Sequence, residues 1–376
     1  MSIREITAKS ILRKYKRIDS WFISCYGMNL YKGCLHNCVY CDGRAEKYQV
    51  NGQFGQDIEV KINAIEVLNR ELRPLRAKKS FKKCYILLGG GVGDSYQPVE
   101  KTYQLTRKAI QLLYHYNLPF SILTKSTLIE RDMDLLQEIK EKNNLLINFS
   151  FSSTDDEISS IFEPGTSSPT EKLNTMKTLK KNGFTIGVFL LPVIPFITDT
   201  ATVMKQTIQD LTDIGIDYII FGGMTLKNGQ QKDHFLKTIK EYYPHLLPEY
   251  EIIYKHDKWG QSTKEYTDSI HKTFLSLMQT NHIPIRIPAK LFNHILSEND
   301  TVSVILDQLD YLNKINGKKS PYGYASYQIS QIMQPLSSMK FELQNIKGVG
   351  PITEKIITEI LEKGTSQYYE NFLYRK

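Results

Sequence analysis

Three cysteines fall within eight residues in the stretch YKGCLHNCVYC (31–41): Cys34, Cys38 and Cys41, spaced C-x3-C-x2-C. Thiolates are soft ligands that suit iron–sulfur clusters and zinc. A short loop with three of them can place one sulfur on each of three irons of a cubane. The fourth iron then lacks a protein ligand, unlike the four-cysteine arrangement of electron-transfer clusters. An open iron can bind a substrate or cofactor directly. Zinc, with Cys25 or His36 as fourth ligand, is the alternative these residues leave open. The chain has five cysteines, an odd number, with three crowded together. In a reducing compartment that pattern points to metal rather than disulfides.

Such a loop needs elements to hold it. Five apolar runs predict strands: CYILLGGG (84–91), FSILTK (120–125), LLINFSFSS (145–153), TIGVFLLPVI (185–194) and DYIIFGGM (217–224). They are short, rich in β-branched or aromatic residues, and mostly end in Gly, Pro, Ser or Thr. Amphipathic segments separate them, several closed by Asn or Gly as helix ends prefer. Near-continuous apolar strands alternating with helices indicate an α/β fold with a parallel sheet covered on both faces. A further strand around Tyr26–Leu30 brings the count to about six β-α units, a partial or open barrel over residues 1–224. Chemistry in such barrels sits at the C-terminal strand ends, so the cysteine loop lies on the catalytic face. After residue 225 the rhythm stops. Residues 225–337 read as a mixed extension of helices with a strand or two, and 338–376 as a small separate helical unit.

The strand ends carry further candidates. Gly89, Gly90 and Gly91 follow the second strand, where glycine lets a backbone approach a ligand closely. Lys125 ends the third strand and places a cation at the mouth. Ser150 and Ser152 alternate along one face of the fourth. The C-x3-C-x-aromatic-C pattern, with Tyr40 as its aromatic, set in a loop after the first strand of a partial barrel, resembles the radical S-adenosylmethionine (SAM) superfamily. The resemblance implies that Cys34, Cys38 and Cys41 hold a 4Fe–4S cluster whose fourth iron chelates the amino and carboxylate groups of SAM. An electron, from a donor such as flavodoxin or ferredoxin, would split SAM to methionine and a 5′-deoxyadenosyl radical that abstracts hydrogen. It also implies that the glycines meet the SAM amino group, that Lys125 pairs with its carboxylate, and that the two serines bond ribose or carboxylate.

Five ordered segments narrow the resemblance over about residues 20–225: GDSYQPVEK, SILTKS, SFSSTDDEI, FEPGTSSPTEKL and GVFLLPVIPFITD. Together they resemble the spore photoproduct lyase-like branch. That likeness implies that Asp94, Tyr96, Gln97, Glu163 and Pro195 belong to the site or its walls. Lyases of that kind carry a further cysteine after the second strand as hydrogen donor. Here that stretch is GGGVGDSY, Cys84 starts the strand instead, and Tyr96 is the candidate donor.

Nucleic acid is the expected partner, DNA first. The net charge of +8 and a pI near 8.9 favour a polyanion. LQNIKGVGPITEKIITEIL (343–361) resembles a helix–hairpin–helix, in which Lys347, Gly348, Val349, Gly350 and Lys355 would meet a phosphate backbone. KKSPYGYASYQ (318–328) sets tyrosines beside lysines. The expected function is a radical SAM enzyme acting on nucleic acid, DNA-repair-lyase-like. The rivals are a radical SAM enzyme modifying RNA, protein or a small molecule, and a non-catalytic zinc protein that binds nucleic acid. The charged start MSIREITAKSILRKYKRID has no signal-peptide pattern, and no run approaches the ~20 apolar residues of a membrane span. A cytoplasmic location without membrane contact is expected.

Overall fold

A computed structural model describes residues 2–48, 51–73, 81–90, 92–142, 144–255, 258–339 and 342–375. Each apolar run forms a strand. In chain order these are β3 (Ser24–Met28), β6 (Tyr85–Leu88), β7 (Phe120–Thr124), β8 (Leu145–Phe151), β9 (Ile186–Leu190) and β10 (Tyr218–Phe221). They pair in parallel, and β2 (Leu12–Asp19) adds an antiparallel edge, giving the order β10-β9-β8-β7-β6-β3-β2. Every residue of β8 and β9 is buried, as a sheet covered on both faces demands. Thr124 pairs with Phe149, and Phe151 with Leu190, so these strands open at one level.

Helices follow the strands: α1 (Ala64–Leu72), α2 (Glu100–Tyr103), α3 (Leu105–His115), α4 (Met133–Lys140), α5 (Asp156–Phe162), α6 (Pro169–Lys181) and α7 (Ala201–Ile214). Local signals set their ends. Ser168 and Glu171 make a capping box at α6, with Pro169 in its first turn. Gly215 closes α7 at φ 75°.

Three features depart from the sequence reading. A second small sheet joins β1 (Ser2–Ile6), β4 (Tyr31–Lys32) and β5 (Asp57–Lys61) in the order β1-β5-β4. The expected strand or two beyond residue 225 are absent among the described residues, which form only helices there: α8 (Gln230–Tyr242), α9 (Leu247–Ile253), α10 (Lys264–Leu277), α11 (Glu298–Ile315) and α12 (Tyr322–Ile329). The extended stretch 283–288 does lie beside β10, with Ile219 N donating to the Pro284 carbonyl at 2.9 Å. Pro284 and Pro288 lack the N–H groups a ladder would need. In the terminal motif, α13 (Pro351–Lys363) and α14 (Gln367–Leu373) are helices, but Leu343–Asn345 is a single 3-10 turn. The hairpin therefore has one helix where two were expected.

The open sheet edges approach each other across Trp21. This ring follows β2, and a Cβ at Gly222, just after β10, would lie 3.7 Å from it. Buried Arg286 is stacked between Trp21 and Tyr311, 4.2 and 3.6 Å from the two ring centroids. Val349, Ile357 and Tyr369 of the terminal segment join the main apolar core.

Candidate active site

The loop of three cysteines leaves β3 and β4 and is clamped from several elements. Gln97 accepts from Leu35 N at 2.9 Å and donates to the Gly33 carbonyl at 3.3 Å. Arg44 donates to the Cys38 carbonyl at 3.0 Å and the Asn37 carbonyl at 3.1 Å. Gln231, on α8, donates to the Tyr40 carbonyl at 2.9 Å. Gly165 N donates to the His36 carbonyl at 3.0 Å, and Val39 N to the Phe162 carbonyl at 2.8 Å. A Cβ at Gly165 would run into the Leu35 carbonyl oxygen, so only glycine lets the α5–α6 turn sit against the loop.

Cys34, Cys38 and Cys41 all line one cavity of about 380 Å³ at the C-terminal ends of the strands. Burial pushes each thiol up from its ordinary value. A set of desolvated sulfurs facing one cavity fits metal coordination, where thiolates exchange protons for a cation. The fourth position fits less well for zinc. His36 has Nδ1 2.8 Å from the Gly165 carbonyl oxygen and Nε2 3.1 Å from Asp94. The Cys25 Sγ lies 3.2 Å from the Cys84 Sγ, and neither lines the cavity. Of the two fourth ligands considered for zinc, Cys25 is turned away toward Cys84, whereas His36 lines the same cavity as the three cysteines, its Nε2 beside Asp94. Among the described residues no three His, Cys, Asp or Glu side chains gather as a single-ion site. Three desolvated thiols on one cavity are a donor set that suits an iron–sulfur cluster.

A buried charge network backs the loop. Lys125 Nζ lies 3.1 Å from Glu163 Oε1, and Lys172 Nζ lies 3.3 Å from Oε2. The Tyr40 hydroxyl donates to the same carboxylate. Burial pushes the Glu163 carboxyl up, but Lys125, Lys172 and Tyr40 outweigh it and hold it well below the usual carboxylate range. Burial lowers Lys125, yet Glu163, Cys38 and Asp94 raise it above its ordinary value. Burial lowers Lys172 on balance. Two ammoniums on one carboxylate leave a cation beside the three sulfurs, and Lys125 lines the cavity. That arrangement can take an anionic ligand group.

Other candidates fall on both sides of the cavity wall. Gly90, Asp94 and Ser150 line it, while Gly89 stands just behind at φ 76°, where a Cβ would meet the Leu123 carbonyl. Gly91 lies outside the described residues. Asp94 accepts from Thr124 Oγ1 at 2.8 Å and Lys125 N at 2.7 Å, so it braces the mouth rather than offering a free carboxylate. Burial raises its carboxyl, but His36 and the backbone donors bring it below the ordinary value. Ser152 is buried and does not line the cavity. Pro195 also lies off it, its carbonyl accepting from Tyr250 at 2.6 Å, while Pro192 lines the wall. Tyr96, the expected hydrogen donor, is instead fully buried, its hydroxyl donating to Asp132 at 3.1 Å, and does not line the cavity.

The terminal-motif residues do not line this cavity. Lys347 and Lys355 are exposed, but Val349 is buried and cannot face a partner. Gly348 packs its backbone on Tyr324, with φ 88°, and Gly350 caps α13. Trp21, Phe22, Lys172, Arg44 and Gln231 were missed from the sequence. Lys172 sits among the exposed-looking polar residues of PTEKL, and Trp21 and Phe22 carry no local signal of facing a cavity.

Residues 28–204 match the model of the radical SAM superfamily. Over this stretch the chain is similar to radical SAM enzymes, and its three cysteines lie in the loop that opens the match. Its fold is shared with spore photoproduct lyase. A structure of that lyase complexed with dinucleoside spore photoproduct superposes with a TM-score of 0.55 and 16% identity, covering 74% of this chain and 79% of the other. A lyase variant with bound AdoMet and dinucleoside spore photoproduct gives 0.52 and 18%, covering 72% and 78%. In sequence, an uncharacterized protein of Mycobacterium tuberculosis (strain ATCC 25618 / H37Rv) is 28% identical over 259 residues, 68% of this chain and 74% of the relative. One of Methanocaldococcus jannaschii is 27% identical over 254 residues, covering 67% and 88%. No helix among the described residues is long and apolar enough to cross a membrane.

Proposed function

We propose that this enzyme binds a 4Fe–4S cluster and SAM in the cavity and acts on a nucleic acid, DNA before RNA. One observation carries the cofactor reading: three thiols share a cavity with a buried cation and a glycine-lined strand end. Bound there, the pair supplies reductive cleavage of SAM to begin hydrogen abstraction. The chain's own residues have separate tasks. Cys34, Cys38 and Cys41 hold the cluster. Lys125 orients the SAM carboxylate, and Glu163 fixes Lys125. The backbone at Gly90 receives the amino group. Trp21, Phe22 and Leu191 form the apolar wall that keeps water from the reacting substrate. The net charge of +8 supports the substrate class, as does the fold shared with a lyase seen with a dinucleoside photoproduct. Among the described residues no cysteine besides the triplet lines the cavity, so a hydrogen atom returned to substrate comes from another donor than a thiol of this wall.

Anaerobic reconstitution with iron and sulfide, then reduction with SAM present, tests the reading. Wild type should be brown and form 5′-deoxyadenosine, faster or with altered product when ultraviolet-damaged DNA is added. Cys38→Ala should lose both colour and cleavage. Retained cleavage in that variant would refute the ligand assignment.

A further inference from the structure

We propose that strand β2 is the surface along which the nucleic-acid strand lies on its way to the cavity. The inference rests on the reading that the substrate is a nucleic acid. Charge is concentrated here. Residues 2–18 carry six cations, Arg4, Lys9, Arg13, Lys14, Lys16 and Arg17, against one acid, Glu5, in a chain whose net charge is +8. Arg13, Lys14, Lys16 and Arg17 are all exposed. Of these four, only Arg17 has a carboxylate partner among the described residues, Asp307 at 3.7 Å. The other nearby acids are engaged: Glu71 accepts from the Ile11 and Leu12 amides, Asp300 pairs with Lys82 at 2.6 Å, and Asp19 accepts from Trp21 N at 2.7 Å.

The backbone suits the same partner. β2 pairs only with β3, and its register shifts between Lys14 and Asp19. Tyr15–Ile18 therefore have no partner on β3; Tyr15, Lys16 and Arg17 are exposed while Ile18 turns into the core. Tyr15 is 45% exposed and lies under the Arg13 guanidinium, 5.2 Å from its ring centroid. Its ring rests on Gly27, where a Cβ would sit 3.7 Å away. A half-exposed aromatic ring among exposed cations offers stacking for a base and contacts for phosphates. The strand then runs directly into Trp21 and Phe22, which line the catalytic cavity. Lysines on an edge strand also prevent edge-to-edge pairing, and an acidic reductant protein would match the charge. The stacked Tyr15 and the continuity with the cavity favour nucleic acid over both.

Fluorescence anisotropy with labelled single-stranded and duplex oligonucleotides, titrated over salt, tests the surface. The triple variant R13A/K14A/K16A should bind the single strand about tenfold or more weakly at 0.1 M salt, with a log–log salt slope flatter by about 2. Tyr15→Ala should weaken single strands by about tenfold and duplex less. Uncoupled 5′-deoxyadenosine formation and the melting curve should stay at wild-type values, since none of these residues lines the cavity. If wild type binds and the triple variant matches its affinity and slope, the surface is overturned and the function reading stands. If wild type binds neither oligonucleotide at low salt, the nucleic-acid reading fails and takes the surface with it. Unchanged oligonucleotide binding with slowed reduction by flavodoxin would reassign β2 to the reductant.

Discussion

Glu163 is buried and holds two ammoniums and a phenol, and each partner has a different duty. Lys125 faces the cavity, whereas Lys172 is fully buried and touches Glu163 and the Phe151 ring, 4.4 Å from its centroid. Lys172 is therefore a positioning residue: it neutralises Glu163 so that Lys125 keeps charge for a ligand. Lys172→Met preserves length and removes the charge. Loss of one partner from a buried pair costs about 3 kcal/mol, the low end because Lys125 and Tyr40 still hold the carboxylate. Lys125 should then be drawn fully to Glu163. Equilibrium dialysis of reconstituted enzyme should show weaker SAM binding, and thermal melts a lower Tm, while iron per chain stays unchanged. Normal SAM affinity would mean that Lys172 is only a filler of the α6 face.

At the scale of elements, the α5–α6 turn acts as a template for the cysteine loop. Gly165→Ala would push a methyl into the Leu35 carbonyl and to within 2.8 Å of the His36 carbonyl oxygen. The barrel should fold and the loop should not seat, so iron per chain after reconstitution should fall at least severalfold. Gly350→Ala is the control, since nothing lies within 4 Å of its Cβ position; its iron content should match wild type. Equal loading in both would show that the loop tolerates displacement. The same contrast explains what the sequence could tell. Cys34, Cys38 and Cys41 are legible because ligands on one loop have a local spacing, and β6 to β10 because burial on two faces leaves unbroken apolar runs. Strands β1 and β2 were hidden because they are exposed along nearly their whole length, with Arg and Lys where alternation would show. Lys172 was missed and Tyr96 misplaced for one reason: whether a polar side chain turns into the wall or into the mouth depends on Glu163 and Asp132, which are distant in sequence.

The whole molecule should lose stability on acidification in two stages. His234 on α8 is pushed down to about 4, chiefly by burial and then by Arg44 and Lys237. His271 on α10 is lowered in the same direction, again mainly by burial. In the unfolded chain a histidine binds its proton near pH 6.5. As pH falls from there toward 4, the unfolded state takes up protons that the folded state refuses, so stability declines. Glu163 and Asp94 act in a lower window. Their folded carboxyls stay ionised below the usual range, so their contribution is full above the unfolded value near 4 and is lost as pH drops below it. His234→Gln removes a proton acceptor from the first stage alone. Urea denaturation at pH 7.0 and 5.0 should show a smaller loss of stability for the variant than for wild type, and both should converge on steep loss below pH 4. An identical loss between pH 7.0 and 5.0 would place the first stage elsewhere than in the α8 layer that packs on the cysteine loop.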